Sequence, residues 1–236
     1  MELHDGIETI GLALYLKEHK ALILADVHIG FEESLEKQGV LVPRFHLKDI
    51  LSRIDAILKA LPVKLIIFNG DLKHEFGKIT KQEWRELTRL FEFLKDKVEK
   101  IVIVKGNHDV SLGPVALREG ISMVKEYSLG DILITHGDAL VDKKSPCKIL
   151  IMGHEHPAVS LKAEGRVERY KCFIKGKYGN KILIAQPSFH QFTEGTDVLQ
   201  GSFLSPLLKV CKNMVVFIHD AKKNEVLPFG KLDELR

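Results

Sequence analysis

Cysteine is scarce in this chain: there are three among 236 residues, and only one tryptophan. Cys147, Cys172 and Cys211 are scattered and odd in number, which excludes a disulfide framework and makes a reducing cytoplasm the expected compartment. Long hydrophobic runs are missing too. No apolar stretch reaches the length of about 20 residues needed to span a membrane, and no charged-then-apolar leader opens the chain. A membrane is therefore not an expected partner. Neither sign of charge dominates: 35 Lys and Arg face 32 Asp and Glu, for a net charge of +3. That balance permits nucleic-acid binding without arguing for it. Internal repeats, low-complexity tracts and a clear linker are also lacking, so residues 1–236 are expected to form a single domain.

Five apolar runs each end in a metal-ligand residue type. They read L-I-L-A-Asp26-V-His28, L-I-I-F-N-G-Asp71, I-V-I-V-K-G-Asn107-His108-Asp109, I-L-I-T-His136-G and I-L-I-M-G-His154-E-His156. Such runs suit strands buried on both faces, and loops after strand ends are where layered α/β folds build sites. Asp26 and His28 are two apart, as are His154 and His156, so each pair can point to one side of an extended segment. Any one of these residues could be a satisfied structural group or a helix cap. Polar groups repeated at the ends of buried strands need a shared reason, and a cluster of oxygen and imidazole ligands supplies it.

Residues 12–16 and 21–25 flank the polar turn 17–20 and read as a hairpin. A helix is expected over 31–38, stopping at Gly39. A second amphipathic helix is expected from Pro43, with Ile50, Ile54, Ile57 and Leu61 at helical spacing. Thr80 can cap a third, reaching about Val98, with Glu83 in capping-box position. Beyond Gly120 the pattern turns mostly to strands, near 121–127, 131–135, 148–152, 158–163, 167–175 and 181–186. The charged residues 220–236 carry Val226, Leu227, Phe229 and Leu232, and are expected to lie against the body. The pattern predicts an α/β (α+β) fold, a four-layer sandwich of two mixed β-sheets flanked by helices.

The five blocks, in this order, resemble the calcineurin-like metallophosphoesterase superfamily: D-x-H, G-D, G-N-H-D/E, a lone His and G-H-x-H. The resemblance implies one metal held by Asp26, His28, Asp71 and His156. It implies a second held by Asp71, Asn107, His136 and His154, with Asp71 bridging. His108 would be the catalytic histidine that binds no metal. A hydroxide between the ions would attack phosphorus while His108 assists the leaving group. Asp109 follows His108 and could hold its imidazole in place, or could be a turn residue or cap. Many members read G-D-x-x-D where this chain has His74, whose role stays open. The stretches G-D-L-x-H at 70–74, G-H-x-H-P ending at Pro157 and P-S-F-H-Q-F-T-E-G at 187–195 resemble one branch. That branch holds the bacterial ligase-associated DNA-repair phosphoesterases and their archaeal relatives, and Ser188 and Glu194 depart from its bacterial form.

The expected cofactor is two divalent ions. A donor set with no Cys, mixing carboxylate, imidazole and amide oxygen, favours Mn and accepts Fe, Zn, Co or Ni. The expected activity is a phosphodiesterase, a nuclease acting on DNA with a link to repair. The alternatives are a hydrolase of small phosphate esters or nucleotides, and a scaffold that lost its chemistry, like the retromer subunit of the superfamily. Lys162, Arg166, Arg169, Lys171, Lys175, Lys177 and Lys181, interleaved with Tyr170, Phe173 and Tyr178, could track a single strand. The same stretch could be a hairpin with a solvated basic face. His190 either lines the cleft or is a plain loop residue, and His46 has no partner motif.

Overall fold

The computed structural model describes residues 1–163 and 165–236. The chain opens with antiparallel strands β1 (Glu2–His4), β2 (Ile7–Ile10), β3 (Ala13–Leu16) and β4 (Ala21–Ala25). Helices α1 (Phe31–Lys37) and α2 (His46–Ala60) lead to β5 (Leu65–Asn69), α3 (Lys81–Lys95) leads to β6 (Lys100–Val104), and α4 (Gly113–Arg118) leads to β7 (Ser122–Val124). These strands form one sheet in chain order, with β4 to β7 parallel.

The second sheet takes β8 (Glu126–Leu129), β9 (Ile132–Thr135), β10 (Ile149–Met152), β11 (Pro157–Ala163), β12 (Arg166–Tyr178), β13 (Lys181–Ala185) and β14 (Thr196–Asp197). After α5 (Pro206–Lys209), β15 (Lys212–Asp220) pairs with β12, and β16 (Glu225–Lys231) pairs with β15 ahead of α6 (Leu232–Leu235). The expected pair of mixed sheets with helices outside is thus what forms. The helical cover is uneven: α2 and α3 have 15 residues each, whereas α5 and α6 have four.

Alternation along the runs explains why they are apolar throughout. Ile23, Ile67, Val102, Ile134, Ile151 and Ile184 fill the space between the sheets. Their neighbours Leu24, Phe68 and Ile103 face outward onto Ile50, Ile54, Leu87 and Phe91 of the helices. Strands covered on both faces have no polar side to show.

The Thr80–Glu83 capping box forms as expected. Helix α2 instead begins at His46, three residues past Pro43. Its first amides are capped from another helix: Glu32 Oε1 accepts from Phe45 N at 2.7 Å and His46 N at 2.8 Å. A cap supplied across the fold leaves no local signature at Pro43. The 220–236 segment does lie against the body, with Val226 and Leu232 buried and Leu227 exposed.

Candidate metal centre

Register sets the site. Ala25, Asn69 and Val104, the last residues of β4, β5 and β6, are direct partners across the first sheet. Thr135, Met152 and Ala185 end β9, β10 and β13 at one level in the second. Parallel strands that stop level must deliver their next residues to one place. Asp26, Asp71 and Asn107 leave one row, and His136 and His154 leave the other. The rows are joined where His154 N donates to Asp26 Oδ2 at 2.9 Å and Phe189 N donates to Ala25 O at 2.8 Å.

The backbone bends sharply to do this. Among the described residues, Asp26, His28, Asp71, His154 and His156 hold φ between 46° and 65°. Left-handed backbone is uncommon for residues with a side chain and collects at functional sites. Glycines clear the space around them. A Cβ on Gly70 would collide with the His136 ring, one on Gly106 with Asp71, and one on Gly153 would sit 2.7 Å from Asp26 Oδ2.

The side chains bring ligand atoms face to face. His28 Nε2 lies 3.4 Å from His156 Nε2, which lies 3.5 Å from Asp26 Oδ1. His136 Nε2 lies 2.9 Å from Asn107 Oδ1, 3.1 Å from His154 Nδ1 and 3.4 Å from Asp71 Oδ2. His136 Nδ1 is buried with no hydrogen-bond partner. One ring nitrogen cannot donate to three neighbours, and two imidazole nitrogens facing each other need something positive between them. This donor set fits divalent cations. The seven predicted ligands therefore converge, and groups of them are close enough to share an ion.

The charge states of two of the rings differ, and a cation would take the place of the proton that the carboxylates hold on His136. Burial alone would lower His136, but its hydrogen bond to Asp71 and the charges of Asp26 and Asp71 outweigh it and raise the ring to about 9. Burial and the surrounding histidines push His28 well below its ordinary value. A neutral imidazole is a ready ligand, and binding requires ligands without protons.

His108 sits at the rim. Its backbone N donates to Asp71 Oδ1 at 2.9 Å, and its Nδ1 contacts the His74 carbonyl. Its Nε2 stands 3.8 Å from Asp71 Oδ2. Asp109 does not hold this imidazole. It enters a 3₁₀ turn, and its buried carboxylate accepts from Gly106 N at 3.0 Å and Lys73 N at 3.2 Å. Asp109 is a turn residue, the other reading the sequence left open, and burial raises its carboxyl to about 7.

A cavity of ≈ 240 Å³ opens over the cluster, lined also by Phe31, His74, His190, Thr193 and Leu204. His74 Nδ1 lies 3.4 Å from His28 Nδ1, and the rings of His190 and His28 lie 5.2 Å apart. His190 is thus a cleft residue. Its signal was a sixth apolar run, Ile182–Ala185, which ends level with the others, but its histidine comes five residues later. His46, without a motif of its own, packs against His190 at 5.6 Å.

The basic stretch 162–181 divides: Lys162, Arg166, Arg169 and Lys177 stay exposed, whereas Lys171, Lys175 and Lys181 turn inward. Lys171 Nζ donates to Ser188 O at 3.0 Å, to Ser188 Oγ at 2.6 Å and to the His190 carbonyl. Lys175 donates to Leu3 O and Lys181 to Ser145 O, each at 2.6 Å. Phe173 and Tyr178 are buried. These side chains fasten backbone carbonyls rather than face a ligand or solvent.

A two-sheet sandwich whose level strand ends gather histidines and carboxylates is the build of a metal-dependent phosphoester hydrolase. The calcineurin-like phosphoesterase family model matches residues 19–158, more than half of the chain, and the protein belongs to that hydrolase family. The family uses divalent metals. Among solved structures, the Pseudomonas putida nuclease MPE shares the fold, with 22% identity over 93% of this chain and 92% of that one and a TM-score of 0.66. A Vps29 double mutant from Entamoeba histolytica aligns at 13% identity over 89% and 99% of the chains, TM-score 0.37. A predicted phosphoesterase from Streptococcus pneumoniae aligns at 14% over 85% and 82%, TM-score 0.31. No curated protein matches. Among the described residues, no helix is long and apolar enough to cross a membrane.

Proposed function

We propose that the chain is a single-domain phosphodiesterase with two metal ions that acts on nucleic acid. The observation that carries it is the packing of imidazole, amide and carboxylate ligand atoms at 2.9–3.5 Å around Asp71 and Asp26. Asp26, His28, Asp71 and His156 would hold one ion. Asp71, Asn107, His136 and His154 would hold the other, with Asp71 shared. Mn suits this set best. When bound, such ions neutralise a phosphoryl group and lower the pKa of water, to about 7 in favourable cases.

The chain's own groups do the rest. His108 donates through Nδ1 to the His74 carbonyl, which fixes the ring and leaves Nε2 facing the cavity. In its charged form, Nε2–H can hand a proton to the leaving oxygen. Asp109 ties the Asn107–His108 loop to Lys73 and so positions His108 through the backbone.

The nuclease reading draws on the Pseudomonas putida fold relative, and the repair link on the 187–195 motif. Three free, buried cysteines suit a reducing cytoplasm. The ≈ 240 Å³ cavity is a specific observation favouring small esters or nucleotides instead, because it holds little beyond one phosphate ester. A Mn-loaded substrate panel separates the readings: p-nitrophenyl phosphate, its bis ester, a cyclic nucleotide, and single- and double-stranded DNA. Faster cleavage of diesters than monoesters, with single-stranded DNA accepted, supports the proposal. Efficient monoester cleavage with every DNA ignored refutes it.

A further inference from the structure

A small cavity over the metals leaves a polymer in need of a path away from them. The structure carries one, which begins at Phe31 on the cavity wall. Phe31, at the wall, meets the His74 ring at 4.7 Å and the Phe192 ring at 5.7 Å, the latter at 28°. Phe192 meets Phe45 at 5.7 Å and 31°. Three rings in near-parallel sequence thus run outward from the cluster, from half-buried Phe31 to Phe45, which is 48% exposed.

The row ends in a cationic groove. Phe45 directly precedes α2 and follows Arg44. Between α2 and α3 lies a cavity of ≈ 370 Å³ lined by Arg44, Lys48, Arg85 and Arg89, over Leu47 and Leu51. Its one acid, Glu86, is buried and bonded to Gln82, and burial raises its pKa. Arg44 is paired with Glu36, but among the described residues Lys48, Arg85 and Arg89 form no ion pair and are exposed. The Glu32 carboxylate pins the backbone of Phe45 and His46, so ring row and groove meet at a fixed point. The larger ≈ 420 Å³ cavity by Tyr170 offers no such field. It mixes Glu168, Glu194 and Asp220 with its cations, and Arg169 lies 3.6 Å from Glu194.

We infer that this surface is the path of a single nucleic-acid strand: bases lie along Phe31, Phe192 and Phe45, and backbone phosphates continue onto Lys48, Arg85 and Arg89. Single strands are held by this combination, flat rings for any base and a positive groove for the backbone. The inference rests on the nucleic-acid reading above and adds where the strand runs.

The test uses a fluorescein-labelled dT20 and the Mn-loaded His108→Asn protein, so that the strand survives. Fluorescence anisotropy is read across salt concentrations. In that background, Lys48→Ala/Arg85→Ala/Arg89→Ala should weaken binding at least about tenfold near 0.15 M salt. It should flatten the plot of log affinity against log salt by about 2, since three single-strand contacts count about 0.7 each. Phe45→Ala should weaken binding at least about fivefold and leave the slope alone. A control triple, Lys143→Ala/Lys144→Ala/Lys148→Ala, removes the same charge elsewhere and should change little. In the His108-containing enzyme, neither groove variant should alter hydrolysis of the bis ester. The inference is overturned if the parent does not bind the strand, if groove variants bind with unchanged affinity and slope, or if the control triple weakens binding equally. A strand that binds in the groove but is never cleaved by the active enzyme would sink the nuclease reading and leave the path standing.

Discussion

Asp71 and Lys171 are both charges drawn inward, and their surroundings treat them in opposite ways. Around Lys171, oxygens of Ser188 and His190 close on one ammonium, and the group is complete. Around Asp71, the neighbours are themselves ligand atoms: His136 Nε2 at 3.4 Å, then Asn107 Oδ1 and His154 Nδ1 about that nitrogen. The first arrangement is finished by the chain alone. The second sets acceptors against one another, and the proposed cations would complete it. Burial of polar residues therefore does not mark a site; a surplus of acceptors facing one another does.

The sharpest way to press that contrast is at the rim, where His108 has ordinary hydrogen bonds but faces the cavity. His108→Ala should lose about 10²–10⁴-fold in kcat while keeping both ions, read by steady-state kinetics beside metal analysis. Loss of an ion would make His108 a ligand, and full activity would remove it from the mechanism.

The finished charge should behave as structure alone. Lys171→Met strips the partner from the Ser188 and His190 carbonyls and should cost about 2 kcal/mol in urea unfolding. It should leave the salt dependence of dT20 binding unchanged. A flatter salt slope would restore Lys171 to a β12 track, a place its hydrogen bonds argue against.

His46 is an intermediate case, and its effect is close to nothing at neutral pH and grows only in acid. Both its ring nitrogens are buried without partners, outside the metal cluster. Burial first, and nearby cations after it, lower its pKa to about 3. A base depressed in the folded state contributes stability that is whole above the unfolded pKa of 6.5. That contribution is lost as pH falls from there toward about 3, because the unfolded chain takes up the proton first. The loss should approach 1.4 kcal/mol per pH unit, or about 2 kcal/mol by pH 5. His46→Phe should flatten this part of the acid limb; an unchanged pH–stability profile would mean the ring finds a partner.

The contrast also explains what could be read from the sequence. The runs ending at Asp26, Asp71, Asn107, His136 and His154 were legible because strand and ligand adjoin, and level parallel ends do the rest. His190 was not, because five residues separate it from Ala185. The sequence left Asp109 open between two readings because a neighbour in sequence need not be a neighbour in space: the 3₁₀ turn carries it toward Gly106 and Lys73. Lys171 and Lys175 of β12 and Lys181 of β13 turn inward for a reason the sequence does not carry. Their targets, the carbonyls of Leu3, Ser145 and Ser188, lie 17 to 172 residues away. Sheet order decides which basic side chains turn inward, and composition carries no trace of that order. The cap of α2 by Glu32 is hidden in the same way.

The account stands or falls on Asp71 as the shared ligand of two ions. Metal content by mass spectrometry, with Mn titrated by calorimetry into chelator-treated protein, tests it directly. The intact chain should take up two ions per molecule, and Asp71→Asn should hold at most one with comparable affinity. An intact chain that binds fewer than two, or an Asp71→Asn protein that binds both as tightly, would contradict it.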